Sequence, residues 1–261
     1  MISRSLLFVP AKEKMLRKIG QLNADIYIVD LEESIEEGNK EAALELLRNK
    51  LPEVDSNLNI IVRVNRDNYK KEMETLNKFN VGFMLPKYES ITDYDGITQY
   101  SMKHKIYALI ETPKGIVNIR EIASNPDIKA IAFGAEDFTA YIGMKNDIEY
   151  LRYAKSCLVT FCRAYNKEVY DTPSFQLYDN EQFKREVDES RKLGFDGKMA
   201  IHPKHILYIN ETYADADIEE MKDIISEFER QGKAVLVYNG KIYESMHINN
   251  MKKILRTHGE D

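Results

Sequence analysis

Asp30, Glu32, Arg63, Asn65, Lys87, Glu111, Glu136, Asp137, Asp171 and His202 each stand at the end of an apolar run or just beyond it, in IYIVDLE, IIVRVN, FMLPK, ALIE, IAFGAED, VYD and KMAIH. If those runs are parallel strands, their polar ends converge on one rim as an anionic centre with a fixed cation. That composition suits a divalent metal and a carboxylate substrate. Glu111 and Asp137 end adjacent staves and would share one ion. Mg²⁺ is usually held by one or two carboxylates, with water and substrate oxygens completing an octahedron, and Mn²⁺ would fit the same ligands. The competing reading pairs Glu111 with Lys114 or Arg63 and leaves Asp137 as a helix cap.

The turn Gly134-Ala135-Glu136-Asp137 opens a helix, so its backbone N–H groups offer a seat for a substrate carboxylate beside the metal ligand. Arg63 supplies a permanent charge able to stabilise an oxygen that turns anionic in a transition state. An internal salt bridge to Asp30 or Glu32 is the alternative. Lys87 could form a Schiff base with a keto acid or pair with a rim acid. His202 and His205 lie three apart with no Cys or third His nearby, which argues against zinc.

The elements that must position these groups alternate along the chain. Strands are expected at Ser5 to Pro10, Ile26 to Leu31, Asn59 to Val64, Val81 to Pro86, Ile106 to Ile110, Ile128 to Gly134, Glu168 to Thr172 and Lys198 to His202. Helix-like stretches separate them, at Lys12 to Asn23, Lys40 to Lys50, Lys70 to Phe79, Ile91 to Lys103, Gly115 to Ser124, a short helix opening near Glu136, Asp147 to Asn166 and Asp179 to Leu193, with another from about His205. Strand and helix in strict alternation predict a (β/α)₈ TIM barrel over residues 1–213, with its chemistry at the carboxyl ends of the strands. Residues 214–261 form an appendix: a helix at Ile218 to Gln231, a hairpin turning at Asn239-Gly240, and a helix at Met246 to Arg256, packed on the barrel or on a neighbouring subunit.

A chain of 261 residues that is 43% hydrophobic suits one such barrel and can fill its core. The balance of 37 basic against 43 acidic residues, with no basic and aromatic cluster, argues against a nucleic-acid partner. Cys157 and Cys162 fit neither a metal pair nor a redox motif, and read as free thiols of a reducing compartment. The N-terminal apolar run is too short for a signal peptide, and no run approaches the roughly twenty residues of a membrane span. A cytoplasmic protein is expected.

RSLLFVP, ADIYIVDLEESI with Lys40 following, IVRVN, LPK, ETPKG, FGAEDF and GFDGKMAIHPKHI occur in that order. Together they resemble the citrate lyase β-subunit-like family of the HpcH/HpaI aldolase and malate synthase barrel group, from Arg4 to about Leu255. The resemblance implies a (β/α)₈ barrel, often trimeric or hexameric, that uses Mg²⁺ to cleave or form a carbon–carbon bond beside a thioester. It places the metal ligands on Glu111 and Asp137 and the substrate arginine on Arg63. Glu32, Gly134, Ala135 and Glu136 join the substrate site, and Lys198 and His202 resemble residues near the thioester channel, where ordinary strand-end hydrogen bonding is the alternative. Relatives akin to malate synthases carry an aspartate base in a GKMID-like stretch contributed by an adjacent subunit. Here that stretch reads Gly240-Lys241-Ile242-Tyr243-Glu244, so Glu244 stands at the aspartate's position, as an adapted base or as a solvated surface acid. The chain also departs from the family pattern at Ala11, at Glu33 and in the missing arginine after Lys40, changes that bear on the acyl carrier and the substrate.

Three functions compete at this stage. One is a Mg²⁺-dependent lyase of 3-hydroxy-3-carboxy-acyl thioesters such as citramalyl-, malyl- or citryl-CoA, yielding acetyl-CoA and a 2-oxo acid, with CoA or a carrier protein holding the acyl group. The others are a metal-dependent aldolase on free hydroxy-keto acids and a catalytically silent protein that binds 2-oxo acids or CoA.

Overall fold

The computed structural model describes residues 3–145, 147–213 and 216–257. Eight strands close a parallel barrel in sequence order: β1 (Ser5–Pro10), β2 (Ile26–Asp30), β3 (Ile60–Arg63), β4 (Gly82–Leu85), β5 (Ile106–Ile110), β6 (Ala130–Phe133), β7 (Glu168–Asp171) and β8 (Gly197–Ala200). β8 returns to β1 through Leu6 opposite Met199, which completes the ring. The intervening helices are α1 (Glu13–Leu16), α2 (Lys40–Lys50), α3 (Tyr69–Leu76), α4 (Thr98–Ser101), α5 (Pro113–Val117), α6 (Ile119–Ser124), α7 (Ala135–Ile142), α8 (Ile148–Ala164), α9 (Asn180–Leu193) and α10 (Ile206–Thr212).

Side chains alternate between the two faces of a strand, and that parity sorts the barrel. Leu6, Ile26, Ile28, Ile61, Met84, Tyr107, Leu109, Ala130, Ala132, Tyr170 and Met199 fill the interior, with Phe8 against them. The opposite parity, including Val29, Val62, Phe83, Ala108, Ile131 and Val169, joins Leu44, Leu47, Met73, Leu158 and other helix residues in the layer between barrel and helices. Two steps beyond the interior residues, at the carboxyl ends, come Pro10, Asp30, Arg63, Glu111, Gly134, Thr172 and Ile201. Parity therefore turns these strand-end residues toward the barrel axis.

Two helices are much shorter than the sequence suggests. Gly20 at φ 87° closes the turns after α1. Ahead of α4, Asp93 accepts the N–H groups of Glu89 and Ser90 at 2.7 and 2.9 Å, and Gly96 sits at φ 82°, so a turn replaces the first half of the expected helix. Asn118 separates α5 from α6 and donates its side-chain N–H to the Glu89 carbonyl at 2.8 Å.

The barrel unit runs over Arg4–Thr212, and a second compact unit includes the chain from Tyr213 onward. The latter holds α11 (Ala216–Gln231), β9 (Val235–Tyr238), β10 (Lys241–Glu244) and α12 (Ser245–Thr257). Asn239 at φ 48° and Gly240 at φ 77° make the tight turn of the antiparallel hairpin. Ile224, Leu236 and Ile248 form its small core. Among the described residues, no helix is long and apolar enough to cross a membrane. Cys157 is half-buried and Cys162 buried, both as free thiols.

Candidate active site

Arg63 ends β3 on the interior parity and is 6% exposed. Its Nε and Nη2 donate to the two oxygens of Asp30 at 2.7 and 2.8 Å, a bidentate pair in parallel register across β2 and β3. The guanidinium also lies 5.0 Å from the centroid of the Phe8 ring. Burial works against the charged forms, yet the mutual pairing outweighs it: Asp30 is held below the usual carboxylate range and Arg63 above its ordinary value. Nη1 faces away from Asp30, toward Glu33 at 3.1 Å and Glu32 at 3.3 Å. The second approach is not aligned as a hydrogen bond, and Glu32 Oε2 is buried without one. Burial pushes Glu32 up to about 7.

Glu111 follows β5 and is 4% exposed. Its Oε2 accepts the backbone N–H of Lys87 at 2.9 Å. Gly134 is obligatory beside it, since a Cβ there would lie 2.5 Å from Glu111 Cγ. Burial raises the Glu111 carboxyl to about 8, with the field of Arg63 opposing. Asp137, in the first turn of α7, meets Lys87 Nζ at 3.2 Å. Oxygens from Glu33, Glu111 and Asp137 all lie within 4.8 Å of one another. This donor set fits a hard divalent cation: it is all oxygen, it includes one buried carboxyl whose ionised form lacks enough positive charge nearby, and a glycine cradle fixes that carboxyl. Mg²⁺ would be held by Glu111 and Asp137, with Glu33 in reach.

A cavity of about 360 Å³ joins these groups, lined among others by Phe8, Asp30, Glu33, Arg63, Glu111 and Asp137. Gly134, Ala135 and Glu136 also line it, but two of the expected backbone donors are already engaged. The Gly134 N–H extends the β5–β6 ladder to the Ile110 carbonyl at 2.9 Å, and the Ala135 N–H reaches Thr172 Oγ1 at 3.1 Å. Glu32 is displaced from the lining by Glu33. Asp30 accepts the N–H groups of Glu32 and Ser34 at 3.0 and 2.9 Å, and the resulting turn presents the residue between them.

Lys198, expected near the thioester, does not line the cavity with Arg63 and Glu111 but a neighbouring one that shares Glu136, Thr172, Pro173 and Phe175 with it. Its neighbour Met199 fills the interior, so Lys198 points outward, fully buried, with its Nζ 2.8 Å from Asp171 Oδ2. Lys155 of α8 reaches the same oxygen at 3.1 Å. Burial opposes ionisation of Asp171, but the two ammonium groups prevail and hold it near 2. His202 is likewise outside the pocket lining: it is exposed, and its Nδ1 accepts the Lys204 N–H at 3.2 Å to cap a turn. Asn65 braces the β2 and β3 ends, donating to the Leu31 carbonyl at 2.9 Å and to Glu72 at 2.6 Å. Glu244 closes β10 in the C-terminal unit and is exposed. Sequence reasoning missed Glu33 as a lining group and Phe8 beneath the guanidinium; interior parity, counted from Leu6, would have found Phe8.

A closed barrel carrying carboxylates, a guanidinium and a cavity at the carboxyl ends of its strands has the architecture of a (β/α)₈ enzyme. The chain belongs to the HpcH/HpaI aldolase/citrate lyase family, whose model matches residues 4–203. It is 30% identical to a (3S)-malyl-CoA thioesterase of Cereibacter sphaeroides over 265 residues, 97% of this chain and 93% of that protein. It is also 30% identical to the citrate lyase subunit beta of Haemophilus influenzae over 279 residues, 97% of this chain and 96% of that one. Among solved structures, the citrate lyase beta subunit of Mycobacterium tuberculosis complexed with oxaloacetate and magnesium superposes with a TM-score of 0.72 at 26% identity, over 81% of this chain and 97% of that chain.

Proposed function

We propose that this protein is a Mg²⁺-dependent carbon–carbon lyase that cleaves or forms a 3-hydroxy-3-carboxy-acyl-CoA, of the citramalyl, malyl or citryl type, with acetyl-CoA and a 2-oxo acid as the other side of the reaction. The observation that carries it is the convergence of Glu111 and Asp137 within ligand distance, in the same cavity as Arg63. The family supports the reaction class, and the magnesium and oxaloacetate of the M. tuberculosis relative support the ligands. Mn²⁺ would serve in the same donors.

The divalent cation, when bound, polarises the substrate oxygens that become the 2-oxo acid. Glu111 and Asp137 orient those oxygens by holding the cation. Arg63 Nη1, the guanidinium nitrogen not committed to Asp30, exchanges half-exposed Glu33 for the oxygen that develops negative charge. In cleavage the substrate hydroxyl gives up its proton to solvent water, and its carbon becomes the carbonyl of the 2-oxo acid. The carbon–carbon bond breaks, and its electron pair passes to the thioester enolate, which takes a proton at carbon to give the acetyl group. Glu244, from an adjacent copy in a trimer or hexamer, is the proposed group for that carbon proton and for its removal in the reverse direction. Phe8, Met199 and Ile201 supply the apolar wall that excludes water from the enolate.

The test is incubation of the purified protein with (S)-citramalyl-CoA and malyl-CoA, with Mg²⁺ or with EDTA, followed by mass spectrometry of the products. Acetyl-CoA with pyruvate or glyoxylate, lost on chelation, is the expected result. Free CoA with the intact hydroxy acid would instead mark hydrolysis, as the name of the C. sphaeroides relative describes. Turnover that survives complete metal removal would rule the proposal out.

A further inference from the structure

Lys87 adopts a left-handed backbone, φ 49°, which side chains other than glycine, asparagine and aspartate rarely take. Such a conformation persists where the surroundings over-determine it. Here the Lys87 N–H donates to Glu111 at 2.9 Å and Arg66 Nη1 donates to the Lys87 carbonyl at 3.0 Å. The Tyr88 N–H donates to the Leu109 carbonyl at 3.0 Å, and the Tyr94 hydroxyl donates to the Pro86 carbonyl. From this clamped turn the side chain reaches Asp137, with Nζ 3.2 Å from Oδ2. One residue thus touches both carboxylates assigned to the cation, Glu111 through its backbone and Asp137 through its side chain.

The two cationic side chains near these acids differ in freedom. Arg63 is buried and held by both oxygens of Asp30. The Lys87 side chain is 30% exposed and tethered at one atom, so it can swing to solvent without leaving a buried charge behind. We propose that Lys87 is a positioning residue of the cation site: its ammonium is the resident counter-ion of Asp137 in the metal-free protein, and an incoming divalent cation displaces it. This rests on the metal reading of the pocket. Its consequence is that Lys87 weakens cation binding while it keeps the acid cluster preorganised.

Calorimetric Mg²⁺ titration and thermal melts of the full chain test it, with K87M, K87G and K87R. K87G accepts the left-handed backbone without strain and guards against a folding defect in K87M. K87M and K87G should bind Mg²⁺ about tenfold more tightly, the scale of removing one like charge close to a partly exposed cation. Their Tm should rise more than that of the wild type on Mg²⁺ saturation. K87R should stay within about twofold of wild-type affinity because its charge remains. Binding by K87M and K87G no tighter than by the wild type would overturn the counter-ion role and leave the metal site standing. A wild-type protein that binds neither Mg²⁺ nor Mn²⁺ would overturn both.

Discussion

Glu111 shows how much of the site rests on single atoms. Its buried carboxylate is fixed on one side by the Lys87 N–H and on the other by the absence of a Cβ at Gly134. We expect G134A to fold, since the clash falls on one side chain at the rim, but to drive Glu111 off its position. Mg²⁺ affinity should fall at least about tenfold, and turnover by about a hundredfold, the penalty expected for roughly 1 Å of misplacement. Calorimetry and steady-state kinetics check this, and an unchanged affinity would show that Glu111 is not a ligand. The sequence made Arg63, Asp30 and Glu111 legible because each ends a strand on the interior parity. It did not reveal that Glu33 replaces Glu32 in the lining. That exchange depends on Asp30 capturing two backbone N–H groups just past the strand, a local turn invisible to a period-two reading. Lys198 is turned away from the barrel interior by the regular alternation of its strand, with Met199 facing in.

At the scale of elements, the eight strands were readable as apolar runs with polar ends, and β1, β5 and α2 match their expected bounds. α1 and α4 were not, because glycines with positive φ and the Asp93 turn stop helices whose apolar spacing alone would have continued. The junction after β8 carries a pH dependence that sequence could not supply. His205 is 1% exposed and stacks on Phe183 at 4.1 Å, with Nε2 donating to the Gln176 carbonyl at 3.2 Å and Nδ1 buried without a partner. Burial lowers it to about 4, so the folded protein holds a neutral ring where the unfolded chain, near 6.5, takes up a proton. Stability should therefore be intact above about pH 6.5 and fall as pH drops toward 4, by on the order of 3 kcal/mol at most from this residue. Denaturant unfolding of the wild type and H205Q from pH 7.5 to 4.5 isolates the effect. The wild type should lose more stability than the variant over that interval, whereas parallel curves would contradict the assignment.

For the whole molecule, the barrel gathers residues distant in sequence into one cavity, from Phe8 on the first strand to Ile201 after the last. The relatives match over 97% of the chain. The central claim remains a divalent cation between Glu111 and Asp137, and anomalous diffraction from a crystal soaked with Mn²⁺ and pyruvate tests it most directly. We predict a single strong peak at about 2.1 Å from a carboxylate oxygen of each residue, the spacing of hard oxygen coordination, with pyruvate between the ion and Arg63. A pocket without a peak, or an ion bound elsewhere while Lys87 stays on Asp137, would contradict the account.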